Sequence, residues 1–519
     1  MKLFTHQISV WFSVACLLAW PVRSPAFALL GPVQPWMQMS NGVVFPSDIG
    51  GPMNIGSGYR WNVPVITYGF DQSFINYFGT NGVAAVTSAI QIINNLPPAS
   101  SLVLANYPEA SRQINYTAQV QSLYDLKSEA LQLLVEHLGL APPTRNIFVI
   151  KQWTSLFAYY GNSVYNWPNT RYLPFIDWED WAIPDYISEF NYDPISLSAS
   201  LYNNTTLYYA DIENWDAPAP YIHQVHIYSA DDLAISYTAV ADFGLNSGEY
   251  YTGLTYDDVG GLSYLLSTNT VNYENLLPGI SGIGTNANSF VNGAWRPGVD
   301  KITFISQPVN ALTGAFLPMT NQFTDTYITN GNFVHQQVQR VISQPDFLFT
   351  VADTDAINMG SLYQRTGTTN WINNSIADGN TNGDGPGVIQ PPVQISFNKM
   401  GSMFHAAGPL DTTADDATQL FASFDGSTND PVIYPVTQSG TNQMTVRMWL
   451  ELGKFPNTSA TSYDWNCTSA IGGQFIFQTS TDLVNWVNLF TVTNNGSVNT
   501  FQNYNPASPS RFYRLKPAS

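Results

Sequence analysis

The sequence predicts a multidomain, strand-rich protein: an α/β domain at the amino end, a β-rich middle region and a β-sandwich at the carboxyl end. Three observations carry that prediction. The chain has 519 residues, too many for one hydrophobic core, since single domains hold roughly 100 to 200 residues. Charged residues make up only 11% while aromatic residues reach 14%, a composition that suits a large β-rich exported protein. Helical periodicity is confined to three segments ahead of residue 278, and short alternating runs between turn clusters follow it.

Residues 1–28 read as a secretory signal. Lys2 supplies a basic start, Ile8 to Trp20 an apolar run too brief to span a bilayer, and Ala26-Phe27-Ala28 a small-x-small cleavage site, with cleavage expected after Ala28. The expected location is outside the cell, in the periplasm or at the cell surface. Cys16 leaves with the signal, so the mature chain keeps Cys467 and closes no disulfide within itself. Acidic residues outnumber basic ones 37 to 18, giving a net charge of −19. With no basic run to hold phosphates, nucleic acid is excluded as a partner and an anionic membrane surface is disfavoured. No segment of the mature chain is long and apolar enough to be a transmembrane helix. A surface polysaccharide or another protein is left as the partner.

The α/β domain is expected over 29–278. Its first stretch, to Tyr59, is turn-rich. Val63-Pro-Val-Ile-Thr-Tyr-Gly-Phe70 reads as a strand with Pro64 near its start, where a missing N–H is tolerated. Val83, Val86, Ile90 and Ile93 predict a helix from about Gly82 to Leu96, stopped by Pro97-Pro98. Leu123, Leu126, Ala130, Leu134 and Leu138 predict a second, with Ser122 and Asp125 as its capping pair and Gly139 as its stop. Residues 147–245 are mostly β in pattern. Thr255-x-x-Asp258 ahead of Val259, Leu262 and Leu266 predicts a third helix.

After Pro278 the composition shifts to Gly, Asn, Ser and Thr, which predicts a β-rich middle region over 279–392. Ile302 to Ser306 and Phe347 to Val351 are its clearest strands. The sandwich is expected over 393–519, with strands at Val393 to Phe397, Met444 to Leu452, Gln474 to Thr479, Trp486 to Val492 and Arg511 to Leu515. Asn495-Gly496 between two of these signals a two-residue hairpin.

Three pieces of the first domain resemble matrixin-type metzincin proteases: the Trp61-Asn-Val-Pro-Val-Ile-Thr-Tyr strand with its helix, the helix ending in Leu138-Gly139-Leu140, and Leu254-Thr-Tyr-Asp-Asp-Val-Gly-Gly-Leu-Ser-Tyr-Leu. The resemblance implies a zincin-like fold. The family's zinc helix reads H-E-x-x-H-x-x-G-x-x-H. With Gly139 on its Gly, the ligand positions fall on Gln132, Glu136 and Pro142 and the base position on Leu133. An amide, one carboxylate and a proline make no tetrahedral zinc site, and leucine activates no water. The implied domain is therefore a degenerate metalloprotease-like one without the zinc motif. The whole chain also resembles a group of large exported bacterial proteins without an assigned reaction. That likeness is carried by Asp125-Leu-Lys-Ser, Tyr251-Thr-Gly-Leu-Thr, Leu420-Phe-Ala-Ser-Phe-Asp-Gly-Ser-Thr and the tail from Ser480-Thr-Asp-Leu-Val-Asn-Trp to Arg511-Phe-Tyr-Arg-Leu.

Three other patterns are chemical candidates. Asp378, Asn380, Asn382 and Asp384 match the first half of an EF-hand loop, but Ile389 stands where the bidentate Glu belongs. A structural calcium ion and a metal-free Asn/Gly turn are the two readings, and no other cofactor is expected. Asp177-Trp178-Glu179-Asp180-Trp181, within the aromatic stretch 151–216, places carboxylates beside stacking faces, as sugar-binding clefts and glycoside hydrolases do. An aromatic core with acidic edges explains the same residues. His223 and His226 form a close pair, but their apolar neighbours favour a strand, which points residues three apart to opposite sides. His137 is expected to cap a helix C-terminus. The leading expectation is a noncatalytic binding or structural protein. A carbohydrate-binding protein or glycoside hydrolase using 151–216, and a divergent metalloprotease, are the alternatives.

Overall fold

The computed structural model describes residues 26–34, 37, 48–121, 123–152, 170–172, 186–203, 206–215, 222–229, 239–242, 245–351, 363–364, 370–373, 386–397, 401–402, 418–434, 441–450, 461–470, 472–494, 499–503 and 512–518. Along the chain β1 (Phe27–Gly31) and β2 (Val65–Phe70) precede α1 (Gln72–Asn94). Then β3 (Leu123–Asp125) leads into α2 (Leu126–His137), followed by β4 (Leu140–Ala141) and α3 (Tyr256–Leu266). Strands β5 (Asn272–Asn275), β6 (Ile280–Gly282), β7 (Gly293–Arg296) and β8 (Thr303–Ser306) come next, then β9 (Met319–Thr329) and β10 (Asn332–Ile342). After them lie β11 (Phe347–Val351), β12 (Val393–Phe397) and β13 (Thr418–Ser423). The carboxyl end holds β14 (Thr441–Leu450), β15 (Thr461–Ala470), β16 (Gln474–Ser480), β17 (Val487–Thr493), β18 (Asn499–Asn503) and β19 (Phe512–Pro517). Strand predominates over helix, in several sheets, and no described helix is long and apolar enough to cross a membrane.

Four strands of the central sheet are parallel, in the order β8-β2-β11-β12, and Tyr363–Gln364 adds an antiparallel edge beside β12. Parallel neighbours need long crossovers, and here they are drawn from either side of Pro278 and of Pro392. Strand β13 likewise pairs with β3, bringing Leu420 beside Leu123. One hydrophobic cluster runs from Phe27 to Tyr434, so the packing unit crosses both boundaries expected at 278 and 392. Helix α1 covers this sheet with Phe74 and Phe78, which meet Phe349, Phe397, Phe421 and Tyr434 in a chain of tilted and edge-on rings. Each ring buried this way stabilises the fold by about 1.5 to 3 kcal/mol.

Helix α1 starts about ten residues ahead of its expected position. Asp71 caps it by accepting the Phe74 N–H at 2.9 Å, and the helix breaks at Gly79 (φ 60°, ψ −162°), so the periodic stretch is only its second limb. Helix α2 starts later than expected because Leu123–Asp125 is extended and paired. Its cap is Asp125, whose carboxylate accepts from the Ser128 N–H and hydroxyl at 2.9 and 2.6 Å. Ser122 lies outside the described residues. Helix α3 begins as read, with the Asp258 carboxylate accepting both the N–H and the hydroxyl of Thr255.

Strand β1 spans the bond expected to be cleaved. Phe27 and Ala28 are buried; Phe27 pairs with Tyr192, and Ala28 with Asn191 and Ala141, so the fold uses residues that cleavage after Ala28 would remove. At the carboxyl end β14 lies between β15 and β18, while β16 lies between β17 and β19. The carboxyl end is thus built of two three-stranded sheets. The strands flanking Asn495-Gly496, β17 and β18, belong to different sheets and form no two-residue hairpin. A tight hairpin does occur at Asn330-Gly331, where φ angles of 50° and 75° join β9 to β10, the positive φ at both central residues that a turn matching the right-handed twist of the strands requires.

Candidate functional site

Helix α2 is the candidate inherited from the protease resemblance. Its end is pinned from three sides: the Trp61 indole N–H donates to the His137 carbonyl at 2.9 Å, the Gly139 N–H to Glu136, and the Leu30 N–H to the Gly139 carbonyl. Gly139 takes φ +114°, and a Cβ there would come within 2.3 Å of the Tyr59 carbonyl oxygen, so only glycine fits. His137 is buried at the helix C-terminus, its Nδ1 2.7 Å from the Leu133 carbonyl. Gln132, Leu133, Glu136 and Pro142 are all buried. The Gln132 Nε2 has no hydrogen-bond partner among the described residues. Among those residues no group of three or more His, Cys, Asp or Glu side chains could hold a metal ion.

Beside α2 lies a set of buried carboxylates whose close partners among the described residues are hydrogen-bond donors and not ion pairs. Asp242 accepts the Thr144 N–H and hydroxyl, both at 2.8 Å, and the Asn203 amide. Burial pushes its carboxyl up to about 7 against the pull of those bonds, and the nearby Asp258 adds to the rise. Asp258 accepts from Val240, Ala241 and twice from Thr255, yet burial still raises it. Burial likewise pushes Asp125 up to about 6. Backbone N–H and hydroxyl donors satisfy these groups without neutralising them. The arrangement caps helices and ties loops.

Most of the other sequence candidates fall outside the described residues. Asp177, Trp178, Glu179, Asp180 and Trp181 lie outside the described residues, as do Asp378, Asn380, Asn382 and Asp384. His223 and His226 fall on one strand, paired with Asn214 and Asp211. Cys467 lies in β15 opposite Met444.

The second built region is one that sequence reasoning missed. Strands β5, β7, β9, β10 and β6 form a five-stranded antiparallel sheet, in that order. Its inward face carries charges. Arg296 spends all five N–H donors: two on Asp325, at 2.9 and 3.0 Å, and three on the carbonyls of Glu274, Asn292 and Val291. Arg60 donates to Glu274 at 2.7 Å and to the Leu265, Thr270 and Arg296 carbonyls. Arg340 pairs with Asp346, which also accepts the Thr67 N–H of β2, locking this sheet to the parallel one. Strands β7 and β9 meet only at Trp295 and Ile328 and splay beyond that pair. A recess of about 300 Å³ occupies the gap, lined by Asn62, Thr268, Asp300, Thr324, Thr326 and Phe333 among others, at the lower end of ligand-pocket sizes. The signal that could have located it is Asn330-Gly331, which sets the register and so the face of every residue on both strands. No family model, curated protein or solved structure matches the chain.

Proposed function

We propose that this chain is an exported, noncatalytic binding or structural protein of the envelope or the extracellular space, built in part on a metalloprotease-like helical frame that has lost its metal. The observation that carries this reading is helix α2: the positions for zinc ligands and general base hold Gln132, Glu136, Pro142 and Leu133, and that surface is packed into the core instead of facing a cleft. A protease needs an open metal position reachable by a peptide. The test is metal analysis with a protein-digestion assay. Purified protein is expected to carry no stoichiometric zinc and to leave casein intact, with and without EDTA. Tightly bound zinc together with EDTA-sensitive cleavage would favour the divergent protease instead.

Export rests on the basic and apolar start of the chain. Because β1 uses Phe27 and Ala28, the processed protein is expected to begin at or before Phe27. Ser24-Pro25-Ala26 offers a second small-x-small site for such a cut. Amino-terminal sequencing of the exported protein decides this, and a start at Leu29 would defeat it. A calcium ion held by Asp378, Asn380, Asn382 and Asp384 would be structural, and titration calorimetry on chelator-treated protein would reveal it as heat on calcium addition.

A further inference from the structure

The outward face of the five-stranded sheet inverts the usual division of residue types. Antiparallel sheets commonly turn apolar side chains inward and charges to water. Here Arg296, Asp325, Glu274 and Arg340 point inward and are buried. The register places Tyr273 opposite Trp295, Trp295 opposite Ile328, and Ile328 opposite Phe333, so one row of apolar side chains crosses four strands. Trp295 and Phe333 are 42% and 62% exposed, far more than side chains that serve a core. Along the hairpin from this row come uncharged polar pairs. The Thr326 hydroxyl lies 2.9 Å from His335 Nδ1, and the Gln337 amide donates to the Thr324 hydroxyl at 2.8 Å. Gln322 stands opposite Gln339. No Asp, Glu, Lys or Arg occurs at these positions.

We infer that this face and the recess beside Phe333 bind a neutral polysaccharide. The inference rests on the noncatalytic reading above and supplies its ligand class. A sugar ring is amphipathic, with C–H faces that stack on aromatic rings and hydroxyls that need paired donors and acceptors, and the face offers both. An anionic polymer finds no uncommitted cation among the described residues of this face and recess, because Arg296, which lines the recess, spends all five N–H donors within the protein, in a chain of net charge −19. The two carboxylates of the recess are committed: Asp300 to the Ser100 N–H and hydroxyl, and Asp325 to Arg296 and Gln336. Asn62, which lines the recess, donates to the Asn275 carbonyl. Its buried Oδ1 has no partner among the described residues. The Thr–Gln and Thr–His bonds hold the polar groups in place before a ligand arrives, which lowers the cost of ordering them.

The test is affinity electrophoresis of the full exported chain through gels containing hydroxyethylcellulose, glucomannan, soluble starch or dextran, with alginate as the anionic control. Retardation by at least one neutral polymer, insensitive to salt and absent with alginate, is expected. Trp295→Ala with Phe333→Ala should weaken it by about tenfold or more, as loss of aromatic anchors does, while Phe333→Tyr keeps it. If the double variant fails to fold, Phe333→Ser alone carries the test, because that ring is mostly in water. Unretarded migration in all four neutral gels overturns the inference, as does equal retardation of the variants. A dimer in light scattering that the double variant dissolves also overturns it, by making a second copy the occupant. Release of reducing sugar from a retained polymer would instead defeat the noncatalytic reading and leave the binding face standing.

Discussion

Two regions of this molecule bury charge, and they do so by opposite means. Around α2 and α3, Asp125, Asp242 and Asp258 are held by N–H groups and hydroxyls, with no ion pair to them among the described residues. Under the five-stranded sheet, carboxylates meet arginines: Glu274 with Arg60, Asp325 with Arg296, Asp346 with Arg340. The first solution keeps the site dry but leaves the carboxyl groups reluctant to ionise, so its contribution depends on pH. The second fixes the charges in pairs and commits the arginine donors, which leaves the outer face of the same strands free of any need for charge. The difference teaches where function can reside: the helical region has spent its polar groups on internal capping, while the sheet has spent its charges inward and keeps a neutral, aromatic surface outward.

Breaking a pair in the sheet should have the largest effect. Arg296→Met strips the Asp325 carboxylate of its cation, leaving it the Gln336 amide, and removes one donor from each of three carbonyls, and a buried charge stripped of its partner costs about 3 to 5 kcal/mol. Urea unfolding of the variant is expected to show that loss, and adding Asp325→Leu should recover part of it. A single variant as stable as the parent would mean that this buried pair does not hold β7 and β9 of the sheet together. The helical region should respond to pH instead. Asp242, raised to about 7 by burial from an unfolded value near 4, binds its proton more tightly in the folded chain. Its contribution is complete below about pH 4 and is lost as pH climbs through 7, an effect on the order of a few kcal/mol. Asp242→Asn, which mimics the protonated acid, should therefore gain stability relative to the parent between pH 4 and 8. A gap that stays constant across that range would remove the distinction between the two regions.

How far the sequence foretold these regions follows from the range of the interactions. The capping pair Thr255 and Asp258 is local, and the structure places it where the spacing did. The strands at 303–306, 347–351 and 393–397 were legible as strands from their apolar runs. Their assembly around Val65–Phe70 was not, because parallel pairing across more than two hundred residues leaves no local mark. That is why the packing crosses 278 and 392, where composition alone shifts. The polar residues of α2 pointed toward a lost metal site, and the structure places them in the core. What was overlooked is Asn330-Gly331. Its two-residue turn fixes Thr324, Thr326, His335 and Gln337 on one face, a less conspicuous signal in the sequence than the aromatic stretch at 151–216.

The smallest of these effects is also the one that joins the two regions. Gly139 presses against the Tyr59 carbonyl, and the next residue, Arg60, anchors the sheet through Glu274. Gly139→Ala forces a side chain into a left-handed conformation and into that carbonyl, which should cost about 1 to 3 kcal/mol. The strain cannot be relieved by moving α2 alone, because Trp61 is bonded to the His137 carbonyl on the same helix end. It must be shared with the segment 59–61, and therefore with the arginine network. Hydrogen exchange of the Trp61 indole N–H is then expected to speed up in Gly139→Ala, together with a drop in unfolding free energy. If exchange there stays as slow as in the parent while stability falls, the helix end and the sheet respond separately, and the coupling through Tyr59 and Arg60 is absent.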